Sequence, residues 1–246
     1  MTLRAALVLL VALAFAAAPV FSTFNGFDPG LYPVPQEGPP VQPAGYAFAI
    51  WGLIYLWLSV HSAWGLLRRA HDPAWDRIRV PLIASLAVGI PWLAVAERSP
   101  LAATAMIWAM LAGALAALFR TTIAEDRLLL APPVAIYAGW LTAASSVSVG
   151  LLLAGYGITG EVAAAWIGLA LAAALAVVVQ VRLGRAPEYG LAVAWAAVAV
   201  MVRNLGGDTG LALAAGFLAA IMAGLAFSAL AGERMVRRHW SGSSSA

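Results

Sequence analysis

Apolar residues run along this chain in long blocks rather than in strict alternation. The blocks are Thr2 to Phe21, Gly45 to Leu67, Val80 to Ala96, Leu101 to Phe119, Leu130 to Ala154, Val162 to Val181, Tyr189 to Val202 and Thr209 to Ala231. A helix rises about 1.5 Å per residue and a bilayer core is ~30 Å thick, so most of these blocks are span-length. The pattern predicts an all-α, polytopic integral membrane bundle of about eight helices. Pro91, inside the third block, should kink that helix or end it early. The seventh block is short and must thin the membrane or extend into the segment after it. The first block, with Arg4 ahead of it and Ala16 to Ala18 near its end, also has the look of a signal peptide. Pro19 directly after the small residues disfavours cleavage, so an uncleaved first span is expected.

The polar breaks between blocks carry the topology. With both termini on one side, Arg4, Arg68, Arg69, Arg77, Arg79, Arg120, Arg127, Arg182, Arg185, Arg234, Arg237 and Arg238 share that side, and only Arg98 and Arg203 face the other. Arginine concentrates in cytoplasmic loops, so both termini are expected in the cytoplasm, at a bacterial inner membrane. The long Pro/Gly-rich loop from Ser22 to Gln42 then lies outside, together with the start of the second helix. Its prolines and glycines argue against a regular helix, and a loop of that length suits a lid. Trp92 to Arg120 and Trp195 to Arg234 both read as helix, tight turn, Ala-rich helix, which hints at two parallel repeats of four spans.

Composition narrows the chemistry. Hydrophobic residues make up 63% of the 246 and charged residues 10%, against roughly 25% charged in soluble domains. There is no Cys, which removes disulfides and thiolate metal sites. All 14 basic residues are Arg, which removes any Schiff-base lysine. The basic balance follows from topology and implies no nucleic-acid partner. The sequence offers no nucleophile–base–acid arrangement and no metal-ligand spacing. Gly206-Gly207-Asp208 is a turn and lacks the strand and Lys of a phosphate loop.

What remains are aromatic and hydroxyl groups at helical spacing. Trp51 and Tyr55 sit four apart on one face of the second helix, beside small Ala49 and Gly52, with Phe48 one turn earlier. Tyr137, Trp140 and Ala144 lie on one side of the fifth helix, which also carries Thr142, Ser145, Ser146 and Ser148. These hydroxyls serve a ligand's polar edge or ordinary interhelical packing. His61 is the one ionisable group well inside a block. It is either a haem-type or proton-relay residue, or a histidine bonded to a neighbouring hydroxyl or carbonyl, and the second is the expected reading. Glu97-Arg98 and Arg203…Asp208 are expected to be solvated turns, with a gate as the sharper alternative. Arg185 to Leu191 fits a reversed cholesterol-contact pattern of little weight.

The stretch Pro43 to Tyr55 resembles the start of the second helix in the TspO/MBR family of tryptophan-rich sensory proteins: a Pro-rich segment, an aromatic, then Trp-x-x-x-Tyr, filled here by Trp51 and Tyr55. Pro133 to Ser148 is similar to that family's last helix, through Tyr137, Trp140, Thr142 and Ala143. The departures are a spacing from Phe48 to Trp51 shorter by one, Ser145 or Ser146 where Asn stands in the family, and three helices beyond the family's five. The resemblance divides the chain into a five-helix region at 1–155, three added helices at 156–235 and a disordered tail at 236–246. It implies a ligand pocket opening towards the first loop. The implied site residues are Trp51, Tyr55, Tyr137, Trp140 and Ala144, to which helix geometry adds Phe48 and Trp92. The implied ligand is a hydrophobic aromatic or tetrapyrrole-like molecule such as a porphyrin or heme-like ring, bound for sensing or transport. A homodimer is a candidate assembly. The alternatives are a transporter of two four-helix repeats, a membrane enzyme acting on an isoprenoid or porphyrin, and a structural assembly subunit. An enzyme is the less expected outcome.

Overall fold

Prolines set the starts of four helices, because a first-turn residue has no N–H partner to lose and its φ is already helical. In a computed structural model, described here for residues 1–22, 26–122 and 126–243, Pro73, Pro100, Pro132 and Pro187 each open a helix. The helices are α1 (Thr2–Ala17), α2 (Ile50–Leu67), α3 (Pro73–Gly89), α4 (Trp92–Ala96), α5 (Pro100–Arg120), α6 (Arg127–Leu130), α7 (Pro132–Gly155), α8 (Glu161–Leu183), α9 (Pro187–Asn204) and α10 (Thr209–Ser243). Short 3-10 turns at Ala18–Phe21, Pro29–Leu31 and Gly45–Ala49 frame the first loop.

The fold is the expected polytopic helical membrane bundle, but the span count is smaller by a strict measure. Among the described residues six segments are long and apolar enough to cross a bilayer: Thr2–Phe21, Gly45–Leu67, Pro100–Arg120, Arg127–Gly155, Glu161–Leu183 and Thr209–Glu233. The other two expected spans fall to α3 and α9. The later part of the charged break expected before the third span, Asp76 to Arg79, is helical and belongs to the first two turns of α3. Asp72 caps them by accepting from the Ala74 N–H at 2.8 Å, and Asp76 pairs with Arg79 at 3.1 Å. Those charges lower the helix's hydropathy. Pro91 ends the helix as expected, and α4 restarts beyond it. α9 is 18 residues long, and its exposed large side chains are Leu191, Trp195 and Val202. Packing against α7 and α10 on its other sides frees it from the length and apolarity demanded of a helix that faces lipid. At the far end, α10 continues to Ser243, through much of the segment expected as a disordered tail.

One core runs from α1 to α10, with α7 at its centre; Val8, Leu58, Leu82, Leu118, Leu141, Val193 and Met222 all belong to it. Helices of this kind bury hydroxyls in pairs. The Ser85 hydroxyl donates to the Met110 carbonyl at 2.6 Å, which leaves it to accept from the Tyr137 hydroxyl at 3.0 Å. The Thr142 hydroxyl donates to the Ala138 carbonyl and accepts from Tyr189 in the same manner. At the arginine-rich end, Arg127 bridges Glu188 at 2.5 Å and Glu233 at 2.8 Å, tying α6, α9 and α10 together. The second Glu233 oxygen accepts the Ala186 N–H, whose residue takes a left-handed backbone, φ 53°.

Candidate functional site

The expected site residues divide into two groups on either side of Trp140. On one side is a packed aromatic cluster. Trp51 stacks on Tyr55 at 5.3 Å between ring centroids, as their four-residue spacing predicts. Phe15 of α1 meets both edge-on, at 5.9 and 5.2 Å, and meets Tyr137 at 5.8 Å. Such edge-to-face pairs stabilise beyond their buried area. Phe15 thus brings α1 against Trp51 and Tyr55, while the space over Gly52 stays open.

On the other side is a cavity. It has about 930 Å³ of atom-free space, its open mouth included, between α5, α7, α8, α9 and the first loop. Of the expected residues, Phe48, Trp92, Trp140 and Ala144 line it; Trp51, Tyr55 and Tyr137 do not. Most of the remaining wall is small and aliphatic, at positions no motif singles out, among them Ala165, Gly168, Ala172, Ala196 and Ala197, with Phe27 and Gln42 from the first loop. Phe48 and Trp51 both meet Trp140 edge-on, at 5.8 and 6.2 Å, so Trp140 is the partition between cluster and cavity.

The wall holds no ionisable side chain. Its polar groups are few. The Trp92 indole N–H donates to the Ala103 carbonyl at 2.8 Å, and the Ser148 hydroxyl to the Ser145 carbonyl at 2.7 Å. Trp140 is 2% exposed, and its indole N–H is buried with no acceptor. A buried donor left unpaired costs about 1–3 kcal/mol, so an acceptor placed there is favoured.

The first loop covers one end of this cavity, and it does so by docking onto α7 and α9. The Val34 N–H donates to the Gly155 carbonyl, the Asn204 amide to the Pro40 carbonyl, and the Ala44 N–H to the Ala199 carbonyl. Val41 is buried in a notch between α7 and α8. A Cβ added at Gly150 or Gly168 would come within 2.9 or 2.8 Å of Val41 Cγ2, so both positions need glycine for the loop to seat. The Tyr32 ring lies against Gly155 in the same way. Burial pushes the Tyr32 hydroxyl above its ordinary pKa, with Tyr156 adding to the effect, so it stays neutral.

The remaining candidates are spoken for. His61 is buried, makes a 2.5 Å hydrogen bond to the Leu129 carbonyl and stacks on Trp75 at 4.9 Å, away from the cavity wall. Glu97 accepts from the Ser22 hydroxyl, Arg98 donates to the Ala94 carbonyl, and Asp208 caps the Leu211 N–H. Among the described residues no cluster of His, Asp or Glu could hold a metal ion.

A family model of TSPO-like proteins matches residues 4–228, continuing past residue 155 into α10. No curated protein and no solved structure matches the chain. A match over most of the sequence, on an all-helical membrane bundle carrying the Trp51–Tyr55 and Tyr137–Trp140 pairs, shows that the chain belongs to the TSPO-like family.

Proposed function

We propose that this membrane protein binds a flat, hydrophobic ligand of the aromatic or tetrapyrrole type in the cavity beside Trp140, for sensing or transport. The observation that carries the reading is the pairing of an apolar, uncharged wall with one buried indole N–H that has no acceptor. Ligand sites are mostly apolar, with a few placed polar groups that fix orientation. A carbonyl or ring nitrogen of the ligand would accept from Trp140, while Phe48 and Trp92 offer faces for stacking. The docked first loop supports a gated site: lifting Val41 from its notch opens the route from the outer surface. The expectation of a ligand between the second and fifth helices becomes, in this proposal, a ligand on the far side of Trp140.

The test is a titration of the detergent-purified protein with protoporphyrin IX, followed by quenching of tryptophan emission. Saturable binding is expected, with affinity lowered about fivefold to tenfold in Trp140→Phe through loss of one hydrogen bond. Binding that is unsaturable, or indifferent to Trp140→Phe, overturns the reading.

A further inference from the structure

Away from the cavity, at the arginine-rich end, the bundle carries a second recess. Met1, Arg4, Pro73, Asp76, Arg77, Val80, Pro81 and Arg120 line it, around about 740 Å³ of atom-free space open to the surface. Three helices bring these residues together. Arg4 comes from the first turn of α1, Arg77 from the second turn of α3, and Arg120 from the last turn of α5. The convergence depends on a close helix crossing. A Cβ at Gly113 would lie 2.9 Å from the Pro81 carbonyl and 2.8 Å from Ser85 Cβ, so glycine there lets α5 lie directly on the bend of α3. Arg120, two turns further along, is thereby carried alongside Pro81.

The charge in this recess is unbalanced. Asp76 is its one carboxylate, and it is already shared between Arg4 at 2.8 Å and the buried Arg79 at 3.1 Å. Arg79 is otherwise consumed by carbonyls, at Gly65, Arg69 and Ala70. Arg77 and Arg120 reach only carbonyls of their own helices, each at 3.4 Å, and neither pairs with a described carboxylate. Two guanidiniums without a counter-charge among the described residues therefore flank a polar recess at the arginine-rich end. Below Arg77 the same face of α3 continues through Val80, Ala84 and Ala87, all exposed and apolar. Charged heads above an exposed apolar stripe on one helix match the two ends of one phospholipid.

We propose that this recess is a binding site for the phosphate of an anionic phospholipid headgroup. Arg77 and Arg120 engage the phosphate oxygens, with Arg4 adding charge from α1, and one acyl chain lies along Val80, Ala84 and Ala87. Guanidinium forks suit phosphate oxygens, and basic pockets between membrane helices recognise such headgroups. Lifting Asp76 from Arg4 is not required, since the two unpaired arginines face the recess from α3 and α5.

Native mass spectrometry of the full chain in detergent tests this, with phosphatidylglycerol, phosphatidylcholine and inorganic phosphate titrated separately. Phosphatidylglycerol should be retained in preference to phosphatidylcholine, with inorganic phosphate failing to displace it at millimolar concentration. The double variant Arg77→Gln, Arg120→Gln should weaken retention about thirtyfold, at roughly a tenfold effect or less per charge near the membrane surface. The Arg77→Lys, Arg120→Lys variant should keep most of it, and so separates loss of charge from loss of fold. Arg98→Gln with Arg203→Gln removes two charges at the opposite end and should leave retention unchanged. Equal retention of both lipids, equal loss in both glutamine double variants, or full displacement by inorganic phosphate overturns the proposal.

Discussion

Trp140 divides two regions built from opposite materials. On one side Trp51 stacks on Tyr55 while Phe15 meets Trp51, Tyr55 and Tyr137 edge-on, so four rings pack against one another. On the other, Ala144, Ala165, Gly168, Ala172, Ala196 and Ala197 stop short of one another and leave a cavity. In a helical bundle large side chains consume room and small ones create it, provided the backbones are held apart. Here the aromatic cluster is a scaffold that fixes the position of the partition, and the alanines supply the volume.

This contrast can be broken from either side. The largest expected effect is on the scaffold. Phe15→Ala removes the ring that touches three others and should destabilise the fold by about 3 kcal/mol, through lost packing contacts. A thermal melt in detergent measures it, while protoporphyrin affinity at low temperature should change by no more than about threefold. If affinity collapses while the melt is unmoved, the two regions have been assigned the wrong way round. Next is the cavity itself. Ala197→Phe places a ring in the empty side and should lower protoporphyrin affinity about tenfold to a hundredfold, with little loss of stability because there is space to accept it. An intermediate effect belongs to the partition, where Trp140→Phe should weaken binding and Trp51→Phe, which faces the cluster, should leave affinity within about twofold. The smallest effects come from pH. No ionisable side chain lines the cavity, so affinity for an uncharged aromatic ligand should be flat between about pH 6 and 8. Stability should instead respond to acid at Asp126. The hydrogen bond from Arg69 at 2.5 Å is the main cause holding its carboxyl below the ordinary 3.8. A depressed carboxyl contributes fully above its ordinary value and loses that contribution as pH falls through its folded value. A melting series from pH 7 down to pH 3 should fall at its acid end, and fall less in Asp126→Asn.

Much of the bundle was legible in the residues, and the reasons are local. Proline at a first turn, a glycine or charge cluster at an end, and an apolar block between them define a helix without reference to its neighbours; α5 and α7 follow this rule. The stacking of Trp51 on Tyr55 followed from spacing alone. The errors came where neighbours decide. Asp76 and Arg79 look like loop residues until they pair within α3. The ring of Phe15 lies eleven positions from the nearest charge, Arg4, in an unmarked apolar stretch, yet it is the side chain that meets both Trp51 and Tyr55. The cavity was illegible for a deeper reason. Ala196 and Ala197 read the same whether two helices touch there or stand apart, because periodicity reports which face is apolar and says nothing of the distance to the next helix. The seating of Val41 was equally hidden, since its notch needs Gly150 and Gly168 from two helices over a hundred positions away.

The docking of the first loop also sets an order of events during synthesis. The Pro40 carbonyl waits for the amide of Asn204, 164 positions later. At about 5–20 residues per second that partner leaves the ribosome roughly 8–30 s after the loop does. Through that interval α1 and α2 can be inserted and packed, while the chamber they will border has neither its alanine walls nor its cover. A nascent chain stopped near residue 155 would carry the complete aromatic cluster and no binding chamber.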